Sequence, residues 1–187
     1  MDYVNTDTMD KIANEIKICT LCTLSDSRKN AVPGEGEFRK KLMIIGEAPG
    51  FNEDQSGRPF VGMAGMILRK TLTKCGIDIE DVFITNIVKC KPPNNRQPKN
   101  HEKDTCSKYL ARQINLLKPK IICILGNVAG SYILDIKSIS QHRGKILRKN
   151  GIDYFITYHP AATIYNRNLI LDFENDIKHL AEIINKN

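Results

Sequence analysis

Four short apolar runs rich in β-branched residues recur along the chain, and longer stretches of mixed polarity separate them. Short runs of this kind are typical of buried strands, whereas apolar residues spaced three or four apart indicate helices. The pattern predicts strands over 41–45, 82–88, 120–125 and 153–158, and helices over 9–18, 63–75, 100–118, 127–134 and 168–184. Strands that alternate with helices predict an α/β fold in which helices cover both faces of a parallel sheet.

Polar loops follow the first and the last of these predicted strands. Residues 46–50 read Gly-Glu-Ala-Pro-Gly, and residues 159–162, more than a hundred positions later, read His-Pro-Ala-Ala. Ligands of open α/β sheets bind at the carboxyl ends of the strands, so the two loops can face each other across one pocket. The first loop lacks the glycine patterns of phosphate and dinucleotide binding. It is therefore either a tight turn or a row of backbone N–H groups for a planar ligand.

Three side chains near this predicted pocket have both a structural and a functional interpretation. Asn86 interrupts an apolar strand, where an amide is costly without a partner, so it either bonds the backbone or reads an edge such as that of a pyrimidine. Phe60, in the Gly/Pro-rich loop 57–62, either closes the edge of the core or offers a flat stacking surface. His159 is either a hydrogen-bonded loop histidine or a group that faces developing negative charge.

The six cysteines are interpreted through the compartment that the sequence indicates. The amino-terminal residues are polar, and no apolar run approaches the ~20 residues of a membrane span, so we expect a soluble, cytoplasmic protein. Disulfides are rare in a reducing cytosol. Cys75 and Cys123 lie in predicted apolar elements and are expected to pack in the core. The remaining four, Cys19, Cys22, Cys90 and Cys106, match the thiolate count of an iron–sulfur cluster or a structural zinc site.

The 187 residues fit one domain, and their charge is markedly basic, with 28 Lys and Arg against 21 Asp and Glu. Two stretches, 82–101 and 136–152, contain no acidic residue at all. Such stretches are either solvated surface or a footprint for the phosphate backbone of a nucleic acid. Their basic residues are Lys89, Lys91, Arg96 and Lys99 in the first, and Lys137, Arg143, Lys145, Arg148 and Lys149 in the second.

Taken in order, these motifs resemble the iron–sulfur uracil-DNA glycosylases of family 4, the type-4 enzymes. The resemblance runs from Cys19 to the last predicted helix. Its motifs are Cys19-x-x-Cys22 and residues 32–36, 46–50 with 53–54, 57–62, 85–93 and 159–162. No single motif is decisive, but six in the same order together with four matched cysteines are highly specific.

The resemblance implies a three-layer α/β/α fold with a four-stranded parallel sheet, in a single domain over residues 1–187 with an amino-terminal cluster-binding segment. It implies a 4Fe–4S cluster on Cys19, Cys22, Cys90 and Cys106. It also implies a DNA repair enzyme that flips uracil out of single- or double-stranded DNA and hydrolyses its N-glycosidic bond, leaving an abasic site. The enzyme is then expected at the nucleoid, with no membrane and no obligate protein partner.

The resemblance also assigns roles within the uracil pocket. Phe60 is expected to stack on the base, Asn86 to read its edge, and His159 to stabilise the leaving uracil. Glu53 is expected near C5 of the base, where it disfavours the methyl group of thymine. Cluster-free uracil glycosylases place an Asp in the first motif, so Glu47 either orients the attacking water or bonds neighbouring loop amides. The implied pocket residues are Gly46, Glu47, Ala48, Glu53, Phe60, Asn86 and His159.

Two other functions remain open at this stage. One is an iron–sulfur DNA-binding module without catalysis, and the other is a glycosylase with a different base preference. A related cluster-bearing subtype attaches covalently to its product site through an insertion containing Arg and His. His101 falls near that segment but lacks its surroundings, so no covalent attachment is expected.

Overall fold

The computed structural model describes residues 7–186, which form a central sheet with helices packed on both faces. Its helices are α1 (Met9–Ile18), α2 (Leu24–Ser27), α3 (Phe51–Ser56), α4 (Met63–Lys74), α5 (Asn100–Leu117), α6 (Asn127–Leu134), α7 (Pro160–Tyr165) and α8 (Leu169–Lys186). Its strands are β1 (Leu42–Gly46), β2 (Phe83–Asn86), β3 (Ile121–Leu125), β4 (Ile146–Lys149) and β5 (Ile152–Thr157). The predicted α/β class and the five long predicted helices are confirmed.

The sheet contains five strands in the order β2-β1-β3-β5-β4 across the described part of the chain. The first four strands of this order run parallel, whereas β4 pairs with β5 in the antiparallel sense. The predicted count of four strands is therefore wrong by one. The missed strand, β4, lies at an edge and is mostly exposed, so it lacks the apolar run that marked the others. A turn at Asn150 and Gly151, both with positive φ, joins it to β5, and Asn-Gly is a common hairpin signal.

Two hydrophobic cores hold the three layers together. Alternate residues of a strand point to opposite faces, so Met43 and Ile45 pack under α1 and α5, while Leu42 and Ile44 pack under α4 and α8. Cys123 in β3 is fully buried in the second core, as predicted, and Cys75 is partly buried against it. Within residues 7–186, no helix combines the length and the apolar character needed to cross a membrane.

The register of the parallel strands brings the predicted polar loops to one edge of the sheet. Gly46 pairs with Asn86, so the ends of β1 and β2 lie side by side. Leu125 pairs with Thr157, which places His159 just beyond the end of the neighbouring strands. The sequence pattern missed three short helices, α2, α3 and α7. Of these, α3 follows loop 46–50, whereas α7 begins at Pro160, so residues 160–162 are helical and the prediction of a loop over 159–162 is wrong there. The carboxyl ends of the strands therefore define one crevice.

Candidate active site

A cavity of about 280 Å³ opens at the carboxyl ends of β1, β2 and β5. Six of the seven pocket residues expected from the sequence line it, namely Glu47, Ala48, Glu53, Phe60, Asn86 and His159. Gly46 lies directly behind the wall, because a Cβ there would stand 2.5 Å from Asn86 Oδ1 and 2.6 Å from the Phe60 ring. The absence of a side chain at Gly46 thus lets the amide and the ring pack against the end of β1.

Asn86 ends β2 with its side chain buried at the floor of this cavity. Its Oδ1 atom has no hydrogen-bond partner, and it is the one buried side-chain nitrogen or oxygen in that state among the residues that the structure describes. An unsatisfied buried acceptor costs about 1–3 kcal/mol. The backbone-bonded alternative does not account for this oxygen, which requires a donor from a ligand or water.

Phe60 stands beside Asn86 with its ring buried and its backbone in the left-handed region, at φ 52°. A left-handed backbone costs about 1–2 kcal/mol for a residue with a Cβ. The ring lies 5.9 Å from the His159 ring, centroid to centroid, at an interplanar angle of 33°. This backbone conformation accompanies a ring that lines the cavity next to the imidazole.

Glu53, in the first turn of α3, is hydrogen-bonded to the loop that carries Phe60. One carboxylate oxygen accepts hydrogen bonds from the N–H groups of Val61 at 2.8 Å and Gly62 at 2.7 Å. The other accepts from the N–H of Gly50 at 3.1 Å. Glu53 thus ties the loop after β1 to the Phe60 loop while its side chain forms part of the pocket wall.

Glu47 faces the same cavity but makes no such bonds. Within residues 7–186 its carboxylate has no hydrogen-bond partner, so the loop-binding role that the sequence left open for Glu47 belongs to Glu53. Burial raises the pKa of Glu47 above its ordinary value of 4.5, and the positive charge of Lys103 opposes this shift. A partly buried carboxylate without a partner is free to bind and orient a water molecule.

His159 caps the amino terminus of α7, and this contact fixes its tautomer. Its Nδ1 accepts a hydrogen bond from the N–H of Ala161 at 3.2 Å, so the proton of the neutral ring sits on Nε2. Burial lowers the pKa of His159 to about 4, and the charge of Glu53 opposes this only in part. The imidazole is therefore neutral at pH 7 and carries one N–H that it can donate.

Seven further residues line the cavity that sequence reasoning did not assign to it. They are Pro49, Gly50, Ala64, Pro92, Asn95, Arg96 and Ala161. Pro49, Gly50 and Ala161 belong to the two predicted polar segments, and Ala64 lies at the start of a predicted helix, so position beside a named motif was the signal for these four. Pro92, Asn95 and Arg96 come instead from the loop after β2, where only Pro92 falls within a motif of the resemblance.

The four cysteines expected to bind a metal or cluster line a second, apolar cavity between α1, α5 and the segment after β2. These are Cys19, Cys22, Cys90 and Cys106, with Cys106 inside α5. Two of the sulfurs accept hydrogen bonds, Cys90 from Arg28 Nη1 at 3.0 Å and Cys106 from the N–H of Lys89 at 3.3 Å. In the described residues, no three His, Cys, Asp or Glu side chains gather closely enough to hold a single metal ion. The four thiols are instead distributed around one cavity.

The basic footprint is smaller than the sequence indicated. Lys89 is 1% exposed, so the prediction that it contributes to a DNA surface is wrong. Its ammonium donates to Thr85 Oγ1, to the carbonyl of Asn86 and to Gln113 Oε1, which satisfy the buried charge. Arg96 and Arg143 are paired with the buried carboxylates of Glu102 and Asp176 respectively, so part of their charge is compensated within the protein.

Between the α/β/α layers, one cavity at the strand ends is lined by an amide, an aromatic ring and a neutral imidazole. The family described as "Uracil DNA glycosylase superfamily" matches residues 33–186, and the chain belongs to it. It is 46% identical to the "Type-4 uracil-DNA glycosylase" of Saccharolobus solfataricus, over 95% of this chain and 87% of that protein. The proteins of the same name from Sulfurisphaera tokodaii and Pyrobaculum aerophilum are 46% and 42% identical, over 95% and 90% of this chain and 85% and 91% of their own lengths. Within the superfamily, the chain is a member of the type-4 enzymes.

Proposed function

We propose that this protein excises uracil from DNA by hydrolysing the N-glycosidic bond and leaves an abasic site for base excision repair. The observation that carries the proposal is the unpaired Oδ1 of Asn86 at the floor of the pocket. Uracil presents an N3–H donor beside the O4 acceptor, and an amide of fixed orientation matches both. Cytosine presents the reverse pattern at these two positions, so the same amide discriminates against it.

The base reaches this pocket only after it leaves the DNA stack, which costs a few kcal/mol. Stacking on the Phe60 ring offsets about 1–3 kcal/mol of that cost. Glu47 and Ala48 form the wall on the β1 side, with Gly46 directly behind it. Glu53, fixed by its three N–H donors, limits the room beside C5 of the base and so disfavours thymine. Exposed basic residues such as Lys99 and Lys137 contact the phosphates of the distorted strand.

Bond cleavage moves the N1–C1′ electron pair onto the departing base, so negative charge develops on uracil O2 and the sugar becomes cationic. The Nε2–H of His159 donates to O2 and strengthens its bond as this charge grows. Glu47 orients a water molecule that adds to C1′, and the released proton passes to the carboxylate or to solvent. A neutral imidazole suits this task because its Nε2–H can donate a hydrogen bond to O2 without the ring first being protonated.

The pH dependence of the excision rate tests whether Glu47 orients the water while His159 donates to O2. The excision rate is expected to rise with pH as Glu47 loses its proton, with the midpoint above the ordinary carboxyl value of 4.5 because burial raises its pKa. The rate should then stay level to pH 8, since the His159 donor persists at every pH above about 4. Single-turnover rates of wild type and Glu47→Gln across this range check the prediction. Glu47→Gln should lose the acidic limb, the exposed Glu182→Gln should keep it, and an unchanged profile in Glu47→Gln contradicts the role.

The cysteine cavity fits a 4Fe–4S cluster bound by Cys19, Cys22, Cys90 and Cys106. Each iron of such a cluster takes one thiolate, so four sulfurs distributed around a cavity suit it. Arg28 and the Lys89 N–H, which donate to the sulfurs of Cys90 and Cys106, would also stabilise the negative charge of cluster thiolates. Hydrolysis requires no electron transfer, so the cluster's contribution is structural. It joins the end of α1 to the segment after β2, four residues beyond Asn86.

Iron analysis of the purified protein tests this assignment. We expect a brown protein with about four irons per chain. Alanine at any one of the four cysteines should lower the iron content and the melting temperature. Matched controls are Cys75→Ser and Cys123→Ala, which should retain the iron because neither residue lines the cavity. A colourless, zinc-loaded wild type would contradict the cluster.

Oligonucleotides that carry uracil, thymine or hypoxanthine at one site test the function itself. Strand cleavage by alkali after incubation reports an abasic site, and we expect it for uracil alone, in single- and double-stranded substrates. Binding without cleavage would favour an iron–sulfur DNA-binding module. Cleavage at hypoxanthine or thymine in preference to uracil would favour a different base specificity. Within the cell, this function places the protein with the DNA, in the cytoplasm at the nucleoid.

A further inference from the structure

The loop that carries Phe60 is held from the side opposite to Glu53 by a single arginine of α4. Arg69 Nε donates to the carbonyl of Phe60 at 3.0 Å, and its Nη2 donates to the carbonyl of Pro59 at 3.2 Å. Glu53 meanwhile accepts from the N–H groups of the next two residues, Val61 and Gly62. A cation thus holds the carbonyls and an anion holds the amides of four consecutive residues.

Arg69 is itself fixed by Glu35. Its Nη2 also donates to Glu35 Oε1 at 2.9 Å, and Arg58 binds the same carboxylate through two nitrogens at 2.8 and 3.1 Å. Burial acts to raise the pKa of Glu35, but the hydrogen bonds from both arginines outweigh it and hold the pKa below its ordinary value. The Glu35 carboxylate therefore stays charged and orients the Arg69 guanidinium toward the loop.

The backbone of Phe60 packs directly against Gly65 of α4. A Cβ at Gly65 would stand 1.8 Å from the Phe60 carbonyl oxygen, so the peptide lies directly on the helix. This contact brings the carbonyl within reach of Arg69, one turn further along α4. The left-handed φ of Phe60 is thus matched by hydrogen bonds on both sides of the residue rather than by a glycine at that position.

We propose that Arg69 is a positioning residue that holds Phe60 in the left-handed conformation that turns its ring into the pocket. Arg69 does not line the pocket, so it acts through Phe60 and touches no substrate atom. The consequence for uracil binding rests on the proposed function, whereas the orientation of the ring does not.

A double-mutant cycle tests the inference. Single-turnover excision of uracil is measured for wild type, Arg69→Met, Phe60→Leu and the double variant. Arg69→Met should slow wild type about tenfold but slow Phe60→Leu by about twofold or less, because two residues that act through one contact are not additive. Arg69→Lys, which retains one donor, should recover part of the rate. Equal slowing in both backgrounds would overturn the inference.

The matched control is Arg58→Met, which removes the other arginine bound to Glu35, an arginine whose side chain donates no hydrogen bond to the Pro59 or Phe60 carbonyls. It should change the rate by about twofold or less. A tenfold loss of rate in this control would show that the charges around Glu35 matter, rather than the hydrogen bonds from Arg69 to the loop carbonyls. Melting temperatures and iron contents of all variants establish that each protein is folded.

A second measurement does not depend on uracil chemistry. In protein labelled with fluorophenylalanine, the fluorine resonance of Phe60 is identified by its loss in Phe60→Leu. It should be one narrow line in wild type and in Arg58→Met, and should shift or split in Arg69→Met. An unchanged line in Arg69→Met would overturn the inference. If wild type fails to excise uracil, the proposed function fails, and this resonance still decides the role of Arg69.

Discussion

Replacement of His159 by alanine is expected to slow single-turnover excision of uracil by about a hundred- to a thousandfold. The reason is that its Nε2–H bond to uracil O2 strengthens only as negative charge develops in the transition state. The affinity for DNA should change little, since phosphate contacts dominate binding. Rates at saturating enzyme, together with the affinity for a duplex bearing a non-cleavable deoxyuridine analogue, separate the two effects.

The control for this variant is His101→Ala, at an exposed position on α5 that does not line the pocket. Its rate should remain within about twofold of wild type. Equal rates for His159→Ala and wild type would contradict the role of the imidazole. Loss of DNA affinity in parallel with the rate would indicate instead that His159 shapes α7, whose amino terminus it caps.

Replacement of Asn86 by alanine is expected to abolish most excision while nonspecific DNA binding persists. The variant loses a bidentate contact with the base, and contacts of this kind are worth about 1–3 kcal/mol of discrimination. It also removes the unpaired buried oxygen, so its melting temperature should not fall as it would for a satisfied core amide. Single-turnover rates and thermal melts check both expectations, and a fully active Asn86→Ala would refute the edge-reading role.

Asn86→Asp sharpens the same test because it changes the hydrogen-bonding pattern with little change in size. A carboxylate offers only acceptors, so it should lose the O4 contact of uracil and gain a contact with the amino group of cytosine. The ratio of uracil to cytosine excision should therefore fall. Thr85→Ser, at the preceding residue of β2, is a matched control that retains its hydroxyl bond to the carbonyl of Pro33. Its ratio should equal that of wild type.

The position of the crevice was predictable because parallel strands share one orientation. Apolar runs located four of the five strands, and the residue that follows a run must lie at the carboxyl edge of the sheet. Segments 46–50 and 159–162 therefore meet across one cavity, although no sequence pattern links them directly. The family resemblance then supplied roles for the residues, and membership of the type-4 enzymes is confirmed by the relatives.

The unpredicted features depend on contacts between distant residues. Lys89 resembles any surface lysine in sequence, and its burial depends on Gln113, which α5 brings into the core. The hydrogen bonds from Val61 and Gly62 to Glu53 were not predicted, because these amides come close to Glu53 only through the turn at Phe60. β4 escaped detection for a simpler reason, since an exposed, charged edge strand needs no apolar face.

The six residues of segment 85–90 contribute to three separate parts of the structure. Thr85 and Lys89 belong to a buried hydrogen-bond network, Asn86 lines the cavity at the strand ends, and Cys90 lines the cysteine cavity. Even the backbone is engaged, because the carbonyl of Asn86 accepts from the Lys89 ammonium and the Lys89 N–H donates to a cysteine sulfur. A substitution that removes one of these groups therefore affects more than one function. Over evolutionary time such a segment is expected to change by concerted replacement of several residues or not to change at all.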